Sequence, residues 1–164
     1  MRIVNKTIWP ILFVGFSASL YGNGTIELEV LDAGIYENEF NGYQLRDNNV
    51  VAGHTKPSHT MRLVNKTNIV KGEIGVAFGF RFKPKQSDQM SNTRVKFCGS
   101  HPPMKNKLTE VQLETECFDY IIKPNKIQWH TFVIENDWEI VPGKWSLHIE
   151  QNNKILAKRD FIIE

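Results

Sequence analysis

Bulky apolar residues alternate with small or polar ones along much of the sequence from Thr25 onward. The longest example spans residues 74–82. Its bulky positions are Ile74, Val76, Phe78, Phe80 and Phe82, and between them lie Gly75, Ala77, Gly79 and Arg81. A period of two is typical of β-strands that bury one face. The bare opposite face predicts that another backbone or large side chains lie close over it.

The same alternation predicts seven or eight short strands. The first is expected to stop near the Asp32-Ala33-Gly34 turn, and a long loop over 37–57 is expected to hold a short edge strand around Val50 and Val51. Pro102 and Pro103 are expected to end a strand, since proline cannot donate to a strand ladder. The predicted strands lie near residues 26–30, 60–64, 74–82, 95–97, 118–122, 129–134, 145–149 and 156–163.

Two further stretches carry local structural signals. Residues 108–116 suit a short helical turn as well as a strand. Asn152-Asn153 predicts a hairpin into the last strand.

Many short strands without a convincing helix predict a sandwich or a barrel. Strand lengths are uneven and the loops at 37–57 and 99–110 are long, which favours an all-β, immunoglobulin-like antiparallel β-sandwich. In the segment 138–149, a Pro142-Gly143 turn leads into a strand whose apolar residues alternate, as is common in such domains. Residues 23–164 are therefore expected to form one β-sandwich domain.

The first 22 residues predict export. Arg2 and Lys6 give a positive start, an apolar run follows, and small residues come next at 17–19. This order is typical of a secretory signal peptide, with cleavage expected after Ser19 or Gly22. The apolar run is too short to span a bilayer comfortably, so no stable membrane insertion is expected after cleavage. The expected location is periplasmic or secreted.

The charge balance argues against two classes of partner. The net charge of +2 comes from Arg2 and Lys6, so the remaining residues balance at zero. Such a domain has no general attraction to nucleic acid or to an anionic membrane. A composition with 41% hydrophobic and 23% charged residues is that of a globular domain rather than a disordered one.

Three segments carry a family resemblance. They are 79–82 (Gly-Phe-Arg-Phe), the 101–104 loop (His-Pro-Pro-Met) and the segment from Trp138 to Trp145, in this order behind a signal peptide. Together they resemble a family of small bacterial secreted domains of unknown function, over roughly residues 25–163. The resemblance implies a bacterial envelope protein and supplies no catalytic or binding residues.

The two cysteines, Cys98 and Cys117, predict one disulfide, because an even pair in an oxidising compartment is most simply bridged. Both are expected to point outward from neighbouring antiparallel strands, since the apolar residues beside them occupy the core positions. The alternative is a metal site that adds His101, because Cys-x-x-His has ligand-like spacing. That site lacks an evident fourth ligand, so no metal is expected.

Other polar residues suggest neither an enzyme nor a cofactor. Ser100 and His101 are adjacent on a strand, so their side chains point apart. The remaining histidines have no ligand-like spacing and are expected to be solvated or satisfied in the core; they are His54, His59, His130 and His148. Three acidic pairs are expected on the wet face of a sheet: Glu27 and Glu29, Glu114 and Glu116, and Asp137 and Glu139. No phosphate or calcium loop is present.

The sequence favours a non-catalytic exported interaction domain that binds a protein of the bacterial envelope, on the analogy of the fold. A carbohydrate-binding module is the alternative, with Trp138 and either Tyr36 or Tyr43 as stacking aromatics. A hydrolase is the second alternative. Trp145 alternates with Leu147 and Ile149, so it is expected in the core. The sequence does not decide whether Trp129 is buried. The simplest role for Trp138 is to close the end of the sandwich. The oligomeric state and the ligand do not follow from the sequence.

Overall fold

Two β-sheets pack face to face in the computed structural model, which describes residues 25–40, 44–56, 59–85 and 91–164. The described residues form eleven strands, three of which have two residues each. The strands are β1 (Leu28–Phe40), β2 (Leu45–Arg46), β3 (His54–Thr55), β4 (His59–Asn65), β5 (Ile69–Val70), β6 (Ala77–Pro84), β7 (Thr93–Lys105), β8 (Gln112–Ile122), β9 (Gln128–Val133), β10 (Gly143–Gln151) and β11 (Lys154–Ile163).

The strand order confirms the predicted immunoglobulin-like sandwich. One sheet has the order β4-β1-β6-β9 and the other β5-β11-β10-β7-β8, and β2 and β3 form a separate small hairpin. Every recorded pairing is antiparallel except that of β5 with β11. The strand count exceeds the predicted seven or eight because a two-residue strand is too short to show alternation.

The core is built by aromatic residues of both sheets. Phe78, Phe80 and Phe82 are fully buried, as their alternation predicts. The Phe78 ring meets the Trp145 ring of the opposite sheet edge to face at 5.7 Å between centroids. Phe82 meets Phe97 at 5.8 Å in the same way. Such aromatic pairs add to the free energy that is gained by burying this apolar layer.

A large side chain lies over the bare face of β6, as predicted. Tyr36 and Asp32 share one face of β1 with Gly34 between them, and the Tyr36 hydroxyl donates to Asp32 Oδ1 at 2.6 Å. Tyr36 packs against Ala77 on this face of β6, and Gly34 pairs with Gly79. A Cβ at Gly79 would lie 2.2 Å from the carbonyl oxygen of His130 in β9. Glycine is required there because the neighbouring backbone comes too close for any side chain.

The N-terminal strands differ from the prediction. β1 passes through Asp32-Ala33-Gly34 without a turn, because Gly34 adopts φ +155° and keeps its pairing with β6. The predicted loop does not begin at residue 37, because β1 continues to Phe40. Val50 and Val51 lie in the turn of the β2–β3 hairpin rather than in an edge strand, and both are buried there.

The start of β6 was also predicted wrongly. The strand begins at Ala77, and Ile74 lies in a turn with 62% of its surface exposed. Gly75 in that turn has φ +94°, a conformation that favours glycine and breaks the extended run.

β7 continues past the two prolines that were expected to end it. Pro102 and Pro103 fall in the irregular register between Ser100 and Met104, where neither has a recorded partner in β8. On the other side, β10 pairs with β7 only as far as Ser100. The prolines therefore remove no ladder hydrogen bond.

Residues 108–116 and Asn152-Asn153, the two stretches with local signals in the sequence, form a turn with a strand and a hairpin. Residues 107–109 form a turn and β8 begins at Gln112, so 108–116 is a turn followed by a strand. Asn152 and Asn153 both have positive φ and connect β10 to β11 as the predicted hairpin.

The predicted signal peptide, residues 1–22, lies outside the described residues, so the expected cleavage after Ser19 or Gly22 stays a prediction. In the described part of the chain, no helix has both the length and the apolar character needed to cross a membrane.

Candidate functional site

A cavity of about 160 Å³, partly open to solvent, lies on one side of the sandwich. β8 is the last strand of the five-stranded sheet and β9 is the last strand of the four-stranded sheet. Residues 44–56, here called the strap, contribute the third wall. The lining of this β8–β9 cavity consists of Val50, Ala52, His54, Thr55, Lys56, Phe97, Glu116, Phe118, Tyr120, Trp129, His130, Thr131, Phe132, Val133, Glu135 and Glu139.

The strap is fastened to both sheets. Its residue Val51 is 1% exposed, and its backbone N–H donates to Glu116 Oε2 of β8 at 2.8 Å. The Asn106 side chain donates to the Val51 carbonyl oxygen at 3.0 Å. On the other side, Lys56 forms an ion pair with Glu135, which follows β9. These contacts place the polar strap over an apolar gap between the sheets.

Aromatic rings form much of the cavity wall. Phe97 stacks on Tyr120 with 4.1 Å between centroids and on His130 with 4.5 Å. Burial lowers the pKa of His130 to about 4, so the ring is neutral at physiological pH. Its Nε2 donates to the Cys98 carbonyl oxygen at 2.9 Å. His130 therefore lies in the core as expected, but its Nδ1 has no hydrogen-bond partner among the described residues, so the ring is only half satisfied.

Trp129, whose role was undecided from the sequence, belongs to the cavity lining. Its indole Nε1 is buried and has no hydrogen-bond partner among the described residues. Its ring packs against Tyr36, Met61 and Ala77 on the bare face of β6. The neighbouring residues His130 and Phe132 point the other way, against Phe97 and Phe78. Trp129 therefore borders the cavity at the edge of β9, and its indole belongs to the outer-face cluster.

Two carboxyl groups in the lining are held by backbone donors. Glu116 accepts the Val51 N–H, and burial raises the pKa of its carboxyl group. Glu139 is 2% exposed, and its Oε2 accepts the backbone N–H groups of Glu135 at 2.5 Å and Asn136 at 2.7 Å. Burial also raises the pKa of Glu139. The lining therefore contains carboxyl groups that hold the local backbone in place.

The expected wet-face location was right for one acidic pair and half wrong for the other two. Glu27 and Glu29 are exposed and pair with Lys85 and Lys83. Glu114 and Asp137 are exposed as well.

Glu116 and Glu139 are the exceptions. Glu116 shares its strand face with Phe118 and Tyr120, so it points inward beneath the strap. Glu139 lies in a 3-10 turn, Asp137–Glu139, where strand parity does not apply.

The two described aromatic candidates for a carbohydrate site, Tyr36 and Trp138, belong to different apolar clusters. Tyr36 is 3% exposed and bonded to Asp32, so its ring presents no face for stacking on a sugar. Trp138 is half-buried in the 3-10 turn and packs against the main core. Tyr43 lies outside the described residues. Neither Tyr36 nor Trp138 lines the β8–β9 cavity.

The predicted disulfide is present. Cys98 and Cys117 are register partners in β7 and β8, and their sulfur atoms are bonded. The alternative metal site is therefore wrong, because neither sulfur is a free thiolate. His101 instead packs on Trp145 with 4.6 Å between ring centroids. His148 and Glu150 lie beside the Cys98 sulfur, but the disulfide removes that sulfur as a ligand.

The cavity was not predicted, and one observation could have indicated it. Glu116 occupies an inward position in the alternation that places Phe118 and Tyr120 in the core. An acidic residue at an inward position of a strand indicates either that the inward face was assigned wrongly or that the residue lines a cavity. The strap, by contrast, has no periodicity that would place it against β8.

The comparisons with known proteins agree with this architecture. The structure is similar to the crystal structure of an immunoglobulin-like protein from Pseudomonas aeruginosa, with a TM-score of 0.59 and 15% sequence identity. The similarity covers 87% of this chain and 99% of that one, and at this identity it shows the fold alone. A comparison with curated proteins finds no significant match. Residues 25–163 match the model of a domain of unknown function, DUF3859, and the chain therefore belongs to the DUF3859 family.

Proposed function

We propose that this domain is a non-catalytic binding module that recognises a protein partner at its β8–β9 side, with one partner side chain entering the cavity. The cavity itself carries the proposal: it is concave, walled by aromatic rings and supplied with a few fixed polar groups. Ligand sites in proteins have this composition. A volume of about 160 Å³ suits one side chain or a single ring rather than a larger molecule.

The strand edges beside the cavity support a protein partner over a free small molecule. Among the described strands, β8 pairs only with β7, and β9 pairs only with β6. The outer edge of such a strand offers unpaired N–H and C=O groups, to which an extended peptide adds as a further strand. Alternate side chains of that peptide would then point toward the gap that the cavity occupies.

The proposed compartment is the bacterial envelope or the exterior of the cell. The Cys98–Cys117 disulfide supports this, because structural disulfides persist in oxidising compartments. The predicted signal peptide supports the same location. An envelope protein is accordingly the proposed partner.

Filling the cavity tests the proposal. Ala52 lies in the strap and lines the cavity, so Ala52→Leu should occupy part of the space that the partner side chain needs. Thr109→Leu makes a similar change in the exposed 107–109 turn and is the control. The measurement is calorimetric titration with blocked pentapeptides that differ only in the central residue. We expect Ala52→Leu to weaken the best peptide about tenfold, with the control unchanged. Equal affinities for the two variants would contradict the proposal.

The carbohydrate and hydrolase alternatives stay predictions with their own measurements. Carbohydrate stacking on Trp138 would quench tryptophan fluorescence in a titration with envelope or plant polysaccharides. Hydrolysis would appear in a substrate panel. The proposal expects neither response.

A further inference from the structure

The charged groups of the β8–β9 cavity suggest which side chain it takes. We infer that the entering group is an organic cation, the ammonium of a lysine or the guanidinium of an arginine on the partner. This inference rests on the proposed function, since it names the chemistry of the same site.

Carboxyl groups outnumber cations in the lining. Glu116, Glu135 and Glu139 stand against one lysine, Lys56, which is already paired with Glu135. His54 lies 3.6 Å from the same Glu135 carboxylate, and His130 is neutral. Glu116 and Glu139 have no charged side chain paired with them among the described residues; they accept backbone N–H groups, and Glu139 also interacts with the Asn136 side chain. An anion would meet three acidic groups and be repelled.

The aromatic walls add a second attraction for a cation. Phe118, Tyr120 and Phe132 line the cavity together with Phe97. The face of an aromatic ring attracts a cation within about 6 Å, and the attraction grows when the cation is desolvated, as it would be here. Aromatic rings beside carboxylates form the surroundings in which proteins bind ammonium and guanidinium groups.

The peptide, rather than a free amine, is the source that the strand edges beside the cavity favour. The outer edges of β8 and β9 offer backbone N–H and C=O groups to an extended chain. A free amine has no backbone that could pair with them. A peptide therefore supplies both a cation for the carboxyl groups and rings and a backbone for the strand edge.

The test uses blocked pentapeptides of glycine with a single central residue. Norleucine is a neutral match for lysine, and citrulline is a neutral match for arginine. At low ionic strength we expect the lysine and arginine peptides to bind about tenfold more tightly than their neutral matches. Equal binding of charged and neutral peptides would overturn the inference and leave the proposed function standing. No binding by any peptide would overturn both. n-Pentylammonium binding as tightly as the lysine peptide would overturn the assignment to a peptide.

A substitution in the lining provides an independent arm. Glu116→Gln removes a charge but keeps an oxygen for the Val51 N–H, so the strap should stay in place, which the melting temperature checks. We expect its preference for lysine over norleucine to fall about fivefold. Glu114→Gln makes the same change at an exposed position of the same strand and should keep the preference. The same preference in both variants would contradict a role for the cavity carboxylates.

Discussion

The centre of the sandwich and its β8–β9 side are filled in different ways. In the centre, the rings of Phe78, Trp145 and Phe161 meet directly, with Phe78 and Phe161 at 5.2 Å between centroids. On the β8–β9 side, a polar strap spans the gap, and carboxyl groups share the lining with the rings. The centre gains free energy from dry, close packing, whereas the β8–β9 side keeps a concave surface. Substitutions in the centre should therefore reduce stability, and those in the cavity should chiefly reduce binding.

The largest expected effect is at the centre. Trp145 is 1% exposed, packs against Phe78 and Phe132, and donates its indole N–H to the Val141 carbonyl oxygen at 2.9 Å. We expect Trp145→Ala to lower the free energy of unfolding by about 3–5 kcal/mol. Urea melts measure the loss. Trp145→Phe keeps a ring but loses the hydrogen bond, so its free energy of unfolding should lie between those of the unchanged protein and Trp145→Ala. An unchanged urea midpoint in Trp145→Ala would contradict the assignment of Trp145 to the core.

The disulfide joins the two regions, because β7 belongs to the centre and β8 to the cavity wall. Its two cysteines are separated by 19 residues in sequence. We expect reduction to lower the free energy of unfolding by about 3 kcal/mol through the greater entropy of the unfolded chain. Urea melts with and without reductant test this. The Cys98→Ala/Cys117→Ala variant is the control and should not respond to reductant; a reductant effect of equal size in it would assign the loss to another cause.

Substitution of Trp138, which lies in the 3-10 turn before β10, should reduce stability less than substitution of Trp145. Its side chain is half-buried against the core, whereas Trp145 lies inside it. We expect Trp138→Ala to cost about 1–2 kcal/mol in the same urea melts. A loss equal to that of Trp145→Ala would make Trp138 a full core residue.

The smallest expected effect is a pH dependence on the cavity side. Burial raises the pKa of the folded Glu116 above its usual value of 4.5, so folding favours the protonated form. The Glu116 contribution to stability is therefore present below pH 4.5 and is lost as the pH rises through the higher folded value. We expect Glu116→Gln to flatten the decline of the melting temperature above pH 4.5 relative to Glu114→Gln. Parallel profiles for the two variants would show that burial does not perturb Glu116.

The core could be predicted from the sequence because a strand with one buried face repeats every two residues. Phe78, Phe80 and Trp145 follow that period and lie where it places them. The strand ends were predicted wrongly where backbone geometry, rather than the two-residue alternation, decides whether a strand continues. Gly34 continues a strand in a conformation that the residue types do not reveal, and Pro102 lies in an irregular register that the facing strands create.

The cavity depends on contacts between segments far apart in the chain, so no local pattern could predict it. The Val51 N–H meets Glu116 across 65 positions, and Lys56 meets Glu135 across 79. Glu139 was placed on a wet strand face because the 3-10 turn that buries it is too short to have a period. The disulfide could be predicted, because it required only that the two cysteines point to the same face of neighbouring strands.

Amide chemical-shift mapping shows whether the β8–β9 cavity is the binding site. The lysine pentapeptide is titrated into the ¹⁵N-labelled protein with its disulfide intact. We expect the largest shifts to cluster in the strap, β8 and β9, at residues such as Ala52, Phe118 and Thr131. We also expect Ala52→Leu to abolish these shifts at the same peptide concentration. Shifts centred on Trp138 and the 3-10 turn, or shifts unaffected by Ala52→Leu, would contradict this assignment of the binding site.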